Sequence, residues 1–263
     1  MTNTVAFILL KDPAVPDITR LAEVLRAHHP NLSVDVPEGE DSRSNFGTQG
    51  GSLLRFAGMM VSVMSVGAPL PRDEGLITRA SASWPEAPAA FQQSTAHLIV
   101  AVMGQQDQPL ATARVTTAVA GALVAVVPDA LGVIWGGGVA SPAQYWAEKS
   151  KSAFAPFPHS PSVLWVSMHP FRDERTGGVG VLTYGLNRFV EREVELIGAA
   201  ADLRRLVELA GGLAGYLVEK GPVLKDGSTF GISETERMPV RLCTSERFPG
   251  LPVISGSVSS TKS

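Results

Sequence analysis

Ala96-His97-Leu98-Ile99-Val100-Ala101-Val102-Met103 is the stretch that decides the fold. It is an unbroken apolar run apart from its histidine, too short for a helix that buries every face, and it stops at Gly104-Gln105. Such a run reads as a strand covered on both sides. Val5-Ala6-Phe7-Ile8-Leu9-Leu10 and Leu131-Gly132-Val133-Ile134-Trp135 have the same character. Between the second and third runs, Pro109 opens a helix at the position where its missing N–H costs nothing. The helix continues to about residue 127, apolar on most faces, and is expected to be central. The run beginning at Val163 is expected to be a fourth central strand.

Composition sets the frame for these elements. The chain has 263 residues, 44% hydrophobic and 18% charged, with a formal net charge of −3. That is a globular composition with a sizeable core. Nothing in it gives the basic excess of a nucleic-acid binder or the polybasic run of a membrane-surface protein. The single cysteine, Cys243, excludes an internal disulfide and fits a reducing compartment. Residues 1–10 have no positively charged leader ahead of their short apolar run. The apolar stretch 115–127 falls short of the ~20 residues that cross a bilayer. A cytoplasmic protein without membrane contact is the expectation.

Working outward, Asp17 can cap a helix with Ile18, Leu21, Val24 and Leu25 on one face, stopped at Pro30. Residues 32–36 alternate as a strand. Residues 37–51 are polar and form an expected mobile loop of about fifteen residues, long for a compact domain. Ala57-Gly58 between β-like runs reads as a tight hairpin. A helical region begins near Asp73 and resumes at 86–93 after Trp84-Pro85. Past a proline-rich connector at 153–161, strands are expected at 163–168, 179–184 and 194–197, then a helix from Asp202 to Lys220, and last strands at 229–232 and 240–243. Gly221 sits where a left-handed cap residue belongs, before Pro222. The order predicts an α+β fold of two ferredoxin-like (βαββαβ) halves with largely antiparallel sheets covered by helices. The expected divisions are 1–95, 96–254 and a disordered tail at 255–263.

Several stretches together resemble a bacterial family, domain of unknown function 4261. They are Ala96-His97-Leu98-Ile99-Val100 with Met103-Gly104; Leu131 through Gly138; Thr183-Tyr184-Gly185-Leu186; Val194-Glu195-Leu196; and Tyr216-Leu217-Val218-Glu219-Lys220-Gly221 with Val223-Leu224-Lys225-Asp226-Gly227 to Gly231. The resemblance spans roughly residues 50–255 and is most specific in its last segment. It implies no activity and supplies no catalytic residues.

Two motifs are candidate ligand sites. Gly136-Gly137-Gly138 follows a strand and is expected to precede a helix, a context that can cradle a phosphate on backbone N–H groups. It has neither the Walker lysine nor the dinucleotide glycine spacing, and a close-packed turn explains it equally. Lys225 and Asp226, ahead of Gly227, can present a cation and a carboxylate on a turn; alternatively Asp226 caps its own backbone. Among the histidines, His97 opens a strand as an edge histidine and His169-Pro170 sits at a strand end. No pair has metal-ligand spacing, so no metal and no cofactor is expected. No Gly-x-Ser-x-Gly elbow is present. Without a catalytic constellation, the expected function is a non-enzymatic binding or protein-interaction module, such as an adaptor in a bacterial conflict or secretion locus. The partner would be an unknown protein or a small molecule, and homo-oligomers are allowed. The alternatives are a small-molecule hydrolase or transferase, and an immunity-type inhibitor of a partner enzyme.

Overall fold

A computed structural model describes residues 5–37, 43–46, 49–103, 108–136, 138–231 and 237–258. The chain divides into two compact units, Met1–Ala155 and Pro156–Ser263. The boundary is not at 95/96, because the strand that follows residue 95 is paired into the middle of the first unit's sheet.

The first unit contains strands β1 (Val5–Leu10), β2 (Val34–Asp35), β3 (Arg43–Phe46), β4 (Gln49–Phe56), β5 (Met59–Val66), β6 (Ala96–Met103), β7 (Ala130–Trp135) and β8 (Val139–Pro142). Its helices are α1 (Ile18–His28), α2 (Glu74–Ser81), α3 (Ala87–Gln93), α4 (Pro109–Val126) and α5 (Ala143–Lys149). The sheet runs β2-β4-β5-β6-β1-β7-β8, with β3 beside β4, and every pairing is antiparallel. The three apolar runs are β1, β6 and β7, adjacent at the centre. The expected loop at 37–51 is in part the hairpin β3–β4; residues 38–42 and 47–48 lie outside the described residues.

Helices cover both faces of this sheet. Leu9 packs with Leu76, Ala80, Trp84, Ala87 and Ala90 of the α2–α3 layer, while alternation turns Ala6, Ile8 and Leu10 to the other side. There α4 lies against β1 and β6, with α1 and α5 alongside it. Asp17 caps α1 by accepting from the Thr19 and Arg20 amides at 2.9 and 3.1 Å. The α4 helix is long and apolar enough to cross a membrane, yet 67% of its apolar window is buried inside the unit. Gly121 allows its close approach to Ser150, with which any Cβ would collide. His97 is interior: it is buried in β6, with Nδ1 2.8 Å from the Ala68 carbonyl.

The second unit contains β9 (Ser167–Asp173), β10 (Gly178–Tyr184), α6 (Asn187–Val190), β11 (Glu193–Gly198), α7 (Leu203–Lys220), β12 (Thr229–Phe230), β13 (Met238–Thr244) and β14 (Pro252–Ser257). Residues 162–164 form a 3-10 turn, so Val163 does not open a strand. The sheet order is β12-β13-β14-β11-β10-β9, antiparallel except for the parallel pair β11–β14. Here the βαββαβ expectation fails. The unit opens with the β9–β10 hairpin, which has no helix between its strands. Residues 255–257, expected in a tail, belong to β14, the neighbour of both β11 and β13.

One face of this second sheet is covered by α7, which buries Leu206, Leu209, Ala210, Leu213, Ala214, Leu217 and Val218. It packs over β9, β10 and β11. On the opposite face Phe171 covers Gly180 and meets Phe248 edge-on, so the β13–β14 connection folds over that side.

Candidate functional site

The geometry around α7 creates the site. The helix leans on β9–β11 and ends before covering β13 and β14 with a comparable layer. At its C-terminus Gly221 has φ 76° and ψ −161°. This is not the left-handed cap expected from sequence but a conformation essentially reserved for glycine. It redirects the chain, and Pro222 and Leu224 hang over the uncovered strands. The result is a cleft of about 400 Å³. Leu217, Pro222 and Leu224 form one wall, and Leu242, Pro252 and Ile254 of β13 and β14 form the floor. The third side is Val190, Glu191 and Arg192, the connection from α6 to β11.

That third side is held by a buried carboxylate. Glu193 accepts from Thr183 Oγ1 at 2.6 Å and from the Gly185, Leu186 and Asn187 amides at 2.8, 3.2 and 3.3 Å. Thr183 is in β10 and the three amides lead into α6, so Glu193 ties the end of β10 and the entry of α6 to the start of β11. Burial pushes its carboxyl above the ordinary range, and the hydrogen bonds oppose that rise without cancelling it. Glu191, with φ 59°, makes the sharp exit from α6 and is exposed. Arg192 is half-buried, and its Nη1 donates to the Cys243 carbonyl at 3.4 Å. Among the described residues it forms no ion pair.

Residues 182–255 match the family model of a domain of unknown function (DUF4261). The DUF4261 match contains every residue lining the cleft, from Val190 to Ile254. It includes the Thr183–Leu186, Val194–Leu196 and 216–231 stretches; the stretches at 96–104 and 131–138 lie outside its bounds. No curated protein and no solved structure gave a significant match.

Within the DUF4261 segment, Lys225 and Asp226 lie just past the cleft and are exposed. Asp226 does not cap its own turn: Oδ1 accepts from the Leu242 amide at 2.9 Å and fastens the turn to β13. Ser228 closes the turn by accepting from the Lys225 amide at 2.9 Å. The Gly136–Gly138 motif belongs to the other unit and leads into the strand β8, not a helix. The Gly136 amide donates to the Val5 carbonyl at 2.8 Å and Gly138 to Trp135 at 3.1 Å. With those two donors spent within the sheet and its turn, the expected phosphate cradle is not formed by them; Gly137 lies outside the described residues.

A second polar cluster lies on the sheet face away from α7. The Arg247 guanidinium grips Asp173 with Nε at 3.0 Å and Nη2 at 2.7 Å. Thr176 Oγ1 also donates to Asp173, at 2.6 Å. These bonds hold the Asp173 carboxyl far below the usual carboxylate range. Glu195 lies beside them, with Oε1 3.5 Å from Arg247 Nη1, an ion-pair contact in which that oxygen accepts no hydrogen bond from a described partner. Burial raises its carboxyl, against the pull of Ser245 and Arg247. Sequence reading missed both clusters because their members are scattered from residue 173 to 254. Among the described residues, no three His, Cys, Asp or Glu side chains converge in a way that could hold a metal ion.

Proposed function

We propose that this protein is a binding module whose working surface is the cleft of the second unit. The observation that carries this is an open cleft, of the size that accepts small molecules, lined by aliphatic side chains together with polar surface and built wholly from residues inside the family-matched segment. Its walls are aliphatic, and the polar side chains on it, Glu191 and Arg192, are suited to orienting a ligand rather than to bond breaking. A bacterial cytoplasmic setting is part of the same reading. So is a ferredoxin-like plan for the first unit, supported by the order β5-β6-β1-β7 with α1 and α4 as crossing helices.

The test uses 4-methylpentan-1-ol, a neutral probe that reports only the apolar walls. Saturation-transfer NMR should detect its binding to the wild-type chain. Leu224→Asp, which puts a charge into the wall, should abolish the signal while the melting temperature stays within a few degrees. Undiminished binding by that variant contradicts the reading.

A hydrolase or transferase is the second reading, favoured by Asp173 and Glu195 being pushed in opposite directions around one arginine, a pattern shared with acid–base pairs. Against it, the Nε and Nη2 edge of Arg247 is committed to Asp173 and Nη1 faces Glu195, so the arginine is engaged on both sides by the chain's own carboxylates. The cluster serves better as the clamp that holds the β13–β14 connection.

A further inference from the structure

The chemistry of the ligand follows from the arginine in the cleft, and this step rests on the binding reading above. We propose that the cleft holds a small aliphatic monocarboxylate, its chain against Leu217, Leu224 and Ile254 and its carboxylate on the Arg192 guanidinium.

Three observations lead there. First, Arg192 is half-buried and lines the cleft beside aliphatic side chains, where a guanidinium is placed to receive an anionic ligand. Second, the unit supplies such partners elsewhere. Arg175 pairs with Glu246, Arg204 with Glu208 and Arg247 with Asp173. Arg192 has only a long hydrogen bond to a main-chain carbonyl among the described residues. That bond uses one Nη1 donor and steadies the side chain, leaving the planar fork to meet a carboxylate bidentately. Third, the opposite charge on the same wall, Glu191, is exposed, so its carboxylate stays hydrated and its repulsion of an anion is screened. A ligand that joins one carboxylate to a short branched hydrocarbon matches both the charge and the walls.

Calorimetric titration with 4-methylpentanoate and 4-methylpentan-1-ol tests this on the full chain. The carboxylate should bind at least about tenfold more tightly than the alcohol, the advantage expected of a charge-assisted hydrogen bond. Arg192→Gln should reduce it to the alcohol's affinity with the alcohol unaffected, and Arg192→Lys should keep part of the preference. If the alcohol binds and the carboxylate binds no better, the carboxylate proposal is overturned and the binding module stands. If neither binds, the cleft itself is not a binding site and both fall. A carboxylate preference that persists in Arg192→Gln overturns the assignment of Arg192.

Discussion

At Gly221 a single backbone conformation determines where the cleft has its wall. With φ 76° and ψ −161°, the residue occupies a region that side-chain-bearing residues avoid even where space is free, and no atom lies within 4 Å of the position a Cβ would take. Gly221→Ala is therefore expected to destabilise by about 1–3 kcal/mol through backbone strain alone. Denaturant unfolding checks it, and an unchanged midpoint would mean the helix exit is not held in this form. Asp226 offers the converse case. Its role is an accepted hydrogen bond from Leu242, which an asparagine oxygen can also make. Asp226→Asn should stay within about 0.5 kcal/mol of wild type, as exposed substitutions do, whereas Asp226→Leu should lower the melting temperature. The presence of a special residue at 221 was legible in the sequence. Its conformation was legible only in part: Pro222 disfavours a helical ψ at the residue before it and favours an extended one, a restriction that the left-handed expectation left out.

At the scale of elements, the clamp between β9 and the β13–β14 connection is the strongest electrostatic feature described. The Arg247 and Asp173 side chains are 17% and 1% exposed, so Asp173→Asn, which removes the charge from their paired hydrogen bonds, should cost about 1.5–3 kcal/mol near neutral pH. Its pH dependence has a definite sign. The Asp173 carboxyl is depressed by its hydrogen bonds to Arg247 and Thr176, and an unfolded aspartate titrates near ~3.9. The stabilisation is therefore complete above that value and is lost as the pH falls through the acid range below it. Glu195 runs the opposite way. Burial raises its carboxyl, so the folded state is favoured most when Glu195 is protonated, and stability falls as the pH rises from about 4.3, the ordinary glutamate value. Glu195→Gln should raise the melting temperature at neutral pH and change it little near the ordinary glutamate value. A lower melting temperature at neutral pH would show that the Glu195 charge is needed. Helix α7 carries a simpler lever: Gly212 has open space at its Cβ position, so Gly212→Ala should stabilise by about 0.5–1 kcal/mol.

At the scale of the whole molecule, two compact units replace the two pattern-matched halves read from the sequence. The central strands β1, β6 and β7 were legible because each is a continuous apolar run buried on both faces. Strand β14 was not. Pro252-Val253-Ile254-Ser255-Gly256-Ser257 has two large apolar residues, and it becomes a strand only by lying between β11 and β13. Val163 misled in the other direction, an apolar residue in a 3-10 turn that is 51% exposed. The cleft had no local signal, since its walls come from four separate parts of the chain. The direct measurement is amide chemical-shift mapping of the isotope-labelled full chain titrated with 4-methylpentanoate. Saturable shifts are expected at Val190–Arg192, Leu217, Val223–Leu224, Leu242 and Ile254 alone, with the first unit unmoved. Shifts centred on Gly136 and Gly138, on the Asp173–Arg247 clamp, or on no defined surface would contradict it.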